Sequence, residues 1–193
     1  MSSFELKTGD VGLFPEPERE AAESRKDGIL PYQTIKELIE SGRIAGSPAI
    51  PDENIQPASL DLRLGDIAHR VRASFLPGPN ATVEDRIKEL RMARVDLTGA
   101  AVFERDCVYI VPLIEEVYLP EHISGKANPK STTGRLDIFT RLITDRGVEF
   151  DRVPAGYKGR LYAEIVSRTF TVAIRAGMRL SLKSTCSIAS GMP

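Results

Sequence analysis

Leu60-Asp61-Leu62-Arg63-Leu64-Gly65 places an apolar side chain at every second position, with a charge between, until a glycine ends the run. Successive side chains on a strand point to opposite faces, so this two-residue period predicts a half-buried β-strand. Gly65-Asp66 supplies the turn that follows. Toward the C-terminus the pattern returns in Ile67 to Phe75, more loosely, and in Cys107-Val108-Tyr109-Ile110-Val111, a β-branched core strand. Val117-Tyr118-Leu119-Pro120 ends another short strand, and Leu136 to Ile143 is an apolar run broken by charges. Arg160 to Val166 alternates again, with Leu161, Ala163 and Ile165 on one face and Tyr162, Glu164 and Val166 on the other. Thr169 to Ile174 and Met178 to Leu182 supply two last strands, separated by Arg175-Ala176-Gly177. Many short strands joined by glycine and proline turns predict a mainly β sandwich or barrel with minor helix.

Toward the N-terminus, Thr34-Ile35-Lys36-Glu37 reads as a capping box opening a short amphipathic helix from Ile35 to Ser41, which Gly42 stops. Val83 to Arg94 is highly charged, with Ile87 and Leu90 three apart, and is expected as a short surface helix or an irregular insert. Residues 1–27 are acidic and polar, with Pro15 and Pro17 and little periodicity, and are expected to form an extended arm.

Composition removes several classes. The 193 residues suit one domain with an arm, and 26 basic against 27 acidic residues give a net charge of −1, which does not mark a nucleic-acid binder. No apolar run approaches the roughly 18 residues of a membrane span, and Met1 to Asp10 has no basic segment followed by an apolar one. Cys107 and Cys186 are far apart, so reduced thiols and a cytoplasmic location are expected. His69 and His122 are the only histidines, and neither begins the H-x-E triplet of zinc-dependent cytidine deaminases; a protein-bound transition metal is not expected.

Three segments carry candidate chemistry. Lys130, Ser131, Thr132 and Arg135 lie within six positions beside Gly134, two cations and several hydroxyls that suit phosphates, or else a solvated basic loop. Glu164 sits mid-strand, where a carboxylate is either on an exposed face or buried as a general acid/base tuned by a nearby arginine. Pro154-Ala155-Gly156-Tyr157-Lys158-Gly159 is either a hairpin corner or a loop whose backbone approaches a flat ligand, with Tyr157 buried as a prop.

In order and spacing these segments resemble the metal-independent dCTP deaminases, which share a fold with the trimeric dUTPases. The resemblance runs from Gly28 to Leu182: Gly28-Ile29-Leu30 and the helix after it, Ile55 to Gly65, Lys130 to Leu136, Pro154 to Ile165, and Ala176 to Leu180 each match a family segment. It implies a dUTPase-like distorted β-barrel or jelly roll over residues 28–182, with a short N-terminal helix, one minor surface helix and an atypical tail over 183–193. It implies hydrolytic deamination of dCTP to dUTP and ammonia. Glu164 matches the catalytic glutamate, Arg135 an arginine that orients it, and Ser131 a serine that bonds the water. Lys130 and Thr132 match phosphate-contacting positions, and Val148 to Phe150 a strand whose backbone reads the base edge. Magnesium is expected to arrive with the triphosphate, and sites to lie between subunits of a homotrimer. Pro154 stands where the family carries aspartate, and Lys130 where arginine is usual. The arm and the charged insert resemble the first half of a double-length version of the family. Two alternatives follow: a nucleotide-binding or oligomer-forming half without chemistry of its own, and a dUTP pyrophosphatase using the nearby Asp151.

Overall fold

The computed structural model describes residues 28–129, 135–179 and 182–188. The arm expected over 1–27 lies outside them. In chain order the elements are α1 (Tyr32–Glu40), β1 (Ile44–Gly46), a 3-10 turn (Asp52–Asn54), β2 (Ile55–Gln56), β3 (Ser59–Asp61), β4 (Ile67–Val71), α2 (Val83–Leu90) and β5 (Arg91–Asp96). There follow β6 (Ala101–Phe103), β7 (Val108–Tyr118), β8 (Ile123–Pro129), β9 (Ile138–Thr144), β10 (Arg152–Val153), β11 (Lys158–Ser167), β12 (Val172–Ile174) and β13 (Leu182–Ile188). One sheet runs β5-β4-β7-β11-β9, with β1 also on β7; a second runs β10-β8-β13-β3-β2; β12 and β6 form a small third. The mainly β architecture with two helices is the one expected. No helix among the described residues is long and apolar enough to cross a membrane.

The central sheet is apolar on both faces. Leu161, Ala163 and Ile165 of β11, with Val111 and Leu142, share the main core with Leu60, Ile123, Ala127 and Val153 of the second sheet and with Ile35 and Leu38 of α1. On the opposite face Val71, Ile110, Ile143 and Tyr162 pack under Val83 and Ile87 of α2. The predicted alternation of Arg160 to Val166 is thus realised with both faces buried, as in a strand covered on each side.

Four local expectations are corrected. No side chain caps α1: Pro31 precedes its first turn, the Tyr32 amide donates to Pro57 O (2.8 Å), and Thr34 lies inside the helix. Its end is as expected, because Gly42 takes φ +71° and the Gly42 and Arg43 amides donate to Ile39 O and Leu38 O, closing a Schellman turn. The capping box belongs to α2, where the Asp85 amide donates to Thr82 Oγ1 (3.1 Å) and the Thr82 amide to Asp85 Oδ2 (3.2 Å).

Second, Ser59 to Leu64 is buried at every position rather than half exposed. Arg63 survives there by donating through Nε to Glu115 Oε1 (2.6 Å), through its backbone amide to Glu115 Oε2 (2.7 Å), and through its remaining nitrogens to Ala49 O and Pro48 O. Third, the strands expected near Cys107–Val111 and Val117–Pro120 are one strand, β7, running through Pro112. The register with β11 shifts between Arg160 and Tyr162, so the missing proline amide falls at a bulge. Fourth, Met178 is not in a strand. It is held by Leu64 N–H to Met178 O and Gly177 N–H to Leu64 O, and the last strand is Leu182–Ile188, paired with β8 and β3.

Candidate active site

Register places the site. Glu164 on β11 lies opposite Arg141 on β9 and Ile110 on β7, and Ile110 lies opposite His69 on β4. Directly paired residues share a face, so His69, Ile110, Glu164 and Arg141 form one row across the sheet. Helix α2 covers the Tyr162 side of this row. Beyond its cover Glu164 lines a cavity of about 230 Å³ with Ser74, Arg141, Phe139, Val166 and Arg168.

Glu164 is 4% exposed. Burial pushes its carboxyl above the ordinary carboxylate range; the Ser74 hydroxyl, the Arg141 charge and the Phe75 amide oppose this, while the Asp151 charge adds to it. Among the described residues its Oε2 has no hydrogen-bond partner. The carboxyl is therefore strongly desolvated, with the Ser74 hydroxyl and the Phe75 amide near enough to favour its ionised form. The buried alternative of the sequence reading is the one observed.

Arg141 is half-buried, its guanidinium 4.8 Å from the centre of the Phe150 ring. Asp151 takes φ +62° and accepts the Leu142 amide on Oδ1 (2.8 Å); burial raises its pKa. Arg168 pairs with Asp106 at the rim (3.3 Å).

The other expected residues are distributed as follows. Arg135 is exposed and does not line the cavity of its own chain. Lys130, Ser131 and Thr132 lie outside the described residues. Val148 to Phe150 do not form a strand: β9 ends at Thr144, and Arg146 (φ +58°) and Gly147 turn the chain, the Gly147 amide donating to Thr144 O (3.1 Å). Val148 is exposed beside a smaller cavity of about 140 Å³ that Thr144, Arg146, Arg152 and Pro154 also line, and Phe150 packs under Arg141. Tyr157 is a prop, its hydroxyl accepting the Asp145 amide (3.1 Å) and donating to Arg160 O (2.7 Å); burial pushes its pKa up to about 12. A larger open cleft of about 680 Å³, near Gly46, Gly65, Pro112 and Arg160, contains none of the expected site residues.

Sequence reading did not single out Ser74 or Arg141. Arg141 could have been found only from the β9–β11 register, and Ser74 carries no local signal. Among the described residues, no group of three or more His, Cys, Asp or Glu is placed to hold a metal ion.

A mainly β chain that buries a carboxylate opposite an arginine at the wall of an open cavity has an arrangement suited to acid–base chemistry. Residues 26–184 match the model of the 2'-deoxycytidine 5'-triphosphate deaminase N-terminal domain. The chain belongs to this family. It is similar to a Methanobrevibacter smithii protein named dCTP deaminase, dUMP-forming: 28% identical, covering 79% of this chain and 76% of that one. It is also similar to a Pectobacterium atrosepticum dCTP deaminase, 27% identical over 78% of this chain and 79% of the other. The solved structure of 2'-deoxycytidine 5'-triphosphate deaminase from Agrobacterium tumefaciens superposes with a TM-score of 0.82 at 49% identity. That match covers 88% of this chain, and this chain spans half the length of the Agrobacterium one.

Proposed function

We propose that this protein hydrolyses the exocyclic C–N bond of dCTP to give dUTP and ammonia, with Glu164 as general base and then general acid. The observation that carries the reading is the buried Glu164 carboxyl, one oxygen unpartnered among the described residues, at the wall of an open cavity. Glu164 takes a proton from water, whose oxygen bonds to C4 of the cytosine while the ring electrons move to N3. The carboxyl passes that proton to N3, then takes the proton of the new C4 hydroxyl and gives it to the amino group, and the C4–N bond breaks as ammonia leaves and the C4 carbonyl forms. A raised carboxyl pKa suits a group that must both accept and return a proton near neutral pH.

Arg135 and Ser131 are assigned to the Glu164 site of a neighbouring copy in a homotrimer-like assembly. Supporting this, Arg135 is exposed and does not line the cavity of its own chain, and Leu136, Phe139 and Phe170 are exposed large apolar side chains. Lys130 and Thr132 are assigned to phosphate, and magnesium enters as part of the nucleotide substrate. The protein is placed in the cytoplasm, with free nucleotides.

Incubation with dCTP, then chromatography of base and phosphate products, tests the reading. Wild type is expected to release ammonia with the triphosphate retained. Glu164→Gln should lose at least about a hundredfold in rate while still binding dCTP, and an unchanged rate overturns the assignment. A second reading has Asp151 activate water at a phosphate: it lies close enough to Glu164 to raise its pKa, and the Methanobrevibacter relative is named dUMP-forming. Pyrophosphate among the products would select it. Tight dCTP binding without turnover would instead mark this chain as a binding or assembly unit, a reading that the doubled length of the Agrobacterium protein supports.

A further inference from the structure

We propose that Ser74, carried on the strap between β4 and α2, is a positioning residue that holds Glu164 for proton transfer. The proposal rests on the deaminase reading of Glu164 given above. Ser74 and Glu164 line the same cavity, and the Ser74 hydroxyl and the Phe75 amide lie near enough to the carboxylate to favour its ionised form. Its Oε2 is left without a partner among the described residues. A hydroxyl presented from the strap restricts the carboxylate to one orientation in the cavity.

The strap is moored at several points. Arg72 N–H donates to Leu90 O (3.1 Å) and Arg72 Nη2 to Glu89 O (2.7 Å), so its start is tied to the end of α2. Gly78 N–H donates to Gly147 O (3.1 Å), and Arg146 N–H to Ala81 O (3.1 Å). Val83 N–H donates to Asp145 Oδ1 (2.7 Å), where the strap enters the helix. The anchoring helix buries Val83 and Ile87 against Tyr162, two residues before Glu164 on the same face. The charged insert of the sequence thus acquires a role: it clamps a hydroxyl-bearing segment against the catalytic strand. Ser74 itself is exposed and packs in neither core cluster, so its removal spares the fold.

A hydroxyl donating to a carboxylate favours the ionised form. The other charged or titratable groups facing Glu164 are Arg141 on β9, His69 one strand further along the same row, Asp151 before β10, and Asp106 and Arg168 at the rim. None of them is altered by a change at Ser74.

The test is Ser74→Ala in the full chain, with ammonia release from dCTP measured against pH. It is paired with a 13C NMR titration of the glutamate side-chain carboxyls, the Glu164 signal assigned by its loss in Glu164→Gln. Expected are a kcat about tenfold lower, as for one lost hydrogen bond, a KM near wild type, and an acidic limb moved to higher pH. The Glu164 carboxyl should titrate higher, the Tm should be unchanged, and Ser74→Thr should restore the wild-type profile. An unmoved acidic limb with an unmoved Glu164 titration overturns the role of Ser74, as does lost activity that only tracks a lowered Tm. If Glu164→Gln releases ammonia at the wild-type rate, the assignment of Glu164 as the base falls and the proposal with it. If Glu164→Gln is inactive while Ser74→Ala behaves as wild type, only the proposal falls.

Discussion

At the scale of single residues, burial dominates Glu164, and two opposed charges adjust it. Arg141 favours its ionised form and Asp151 disfavours it. A general base must be deprotonated to act, so activity rises as pH rises through its pKa. Arg141→Gln therefore moves the acidic limb of the rate profile to higher pH and lowers the rate several-fold below it. Asp151→Asn moves the limb the other way, its amide oxygen still able to accept the Leu142 amide. Initial rates across pH check both, and shifts of the same sign in the two variants would contradict this electrostatic account. The burial of Glu164 and of Tyr157 was one of two readings the sequence left open, an exposed face or edge strand and a hairpin corner being the others. Arg141 was not legible, because its partner is set by strand register, which pairs residues 23 positions apart. Ser74 was not, because a lone serine in an irregular segment carries no period.

At the scale of elements, α2 is a small amphipathic helix with a large lever. Its Thr82 cap and its buried Ile87 hold both the helix and the strap in front of it. Thr82→Ala should destabilise the protein by about 1 kcal/mol through the lost cap. Ile87→Ala should remove about 2–5 kcal/mol, because the void opens between the helix and Tyr162. Urea denaturation measures both, and Ile87→Ala should in addition reduce kcat at temperatures where the chain stays folded. A short surface helix was one of two readings of this charged segment, and of the two residues it buries Ile87 was noted in the sequence and Val83 was not. The misplaced capping box at Thr34 has a cause of its own: a four-residue motif can match anywhere, and the preceding Pro31 had already set the first turn. The doubly buried run Ser59–Leu64 was misread for another reason. Alternation reports two chemical faces, but Arg63 and Glu115 neutralise one another inside the protein.

At the scale of the whole molecule, the site costs stability. The folded-state pKa of Glu164 is raised, so its contribution is fully present below the ordinary glutamate value of about 4.3 and is lost as pH rises through the raised value. Glutamine has no charge to desolvate. Glu164→Gln should therefore be more stable than the parent by about 1 kcal/mol near neutral pH, with the gap closing in acid. Denaturation at both pH values checks this, and a destabilised variant at neutral pH would show that ionised Glu164 contributes net stability. The fold class was legible from end to end, because strand periods and turn residues are local properties. The unity of β7 was not, because Pro112 reads as a break until its opposing bulge is seen.

That long strand also shapes how the polypeptide is made. β7 pairs with β4 and β1, which precede it, and with β11, which is separated from it by about 40 residues of intervening chain. At about 5–20 residues per second, a ribosome leaves one edge of β7 bare for several seconds, with Ile110, Val111 and Leu113 close behind it. The nascent protein thus passes through a sticky half-sheet before its second half arrives, and its yield in a cell depends on translation speed and chaperone supply.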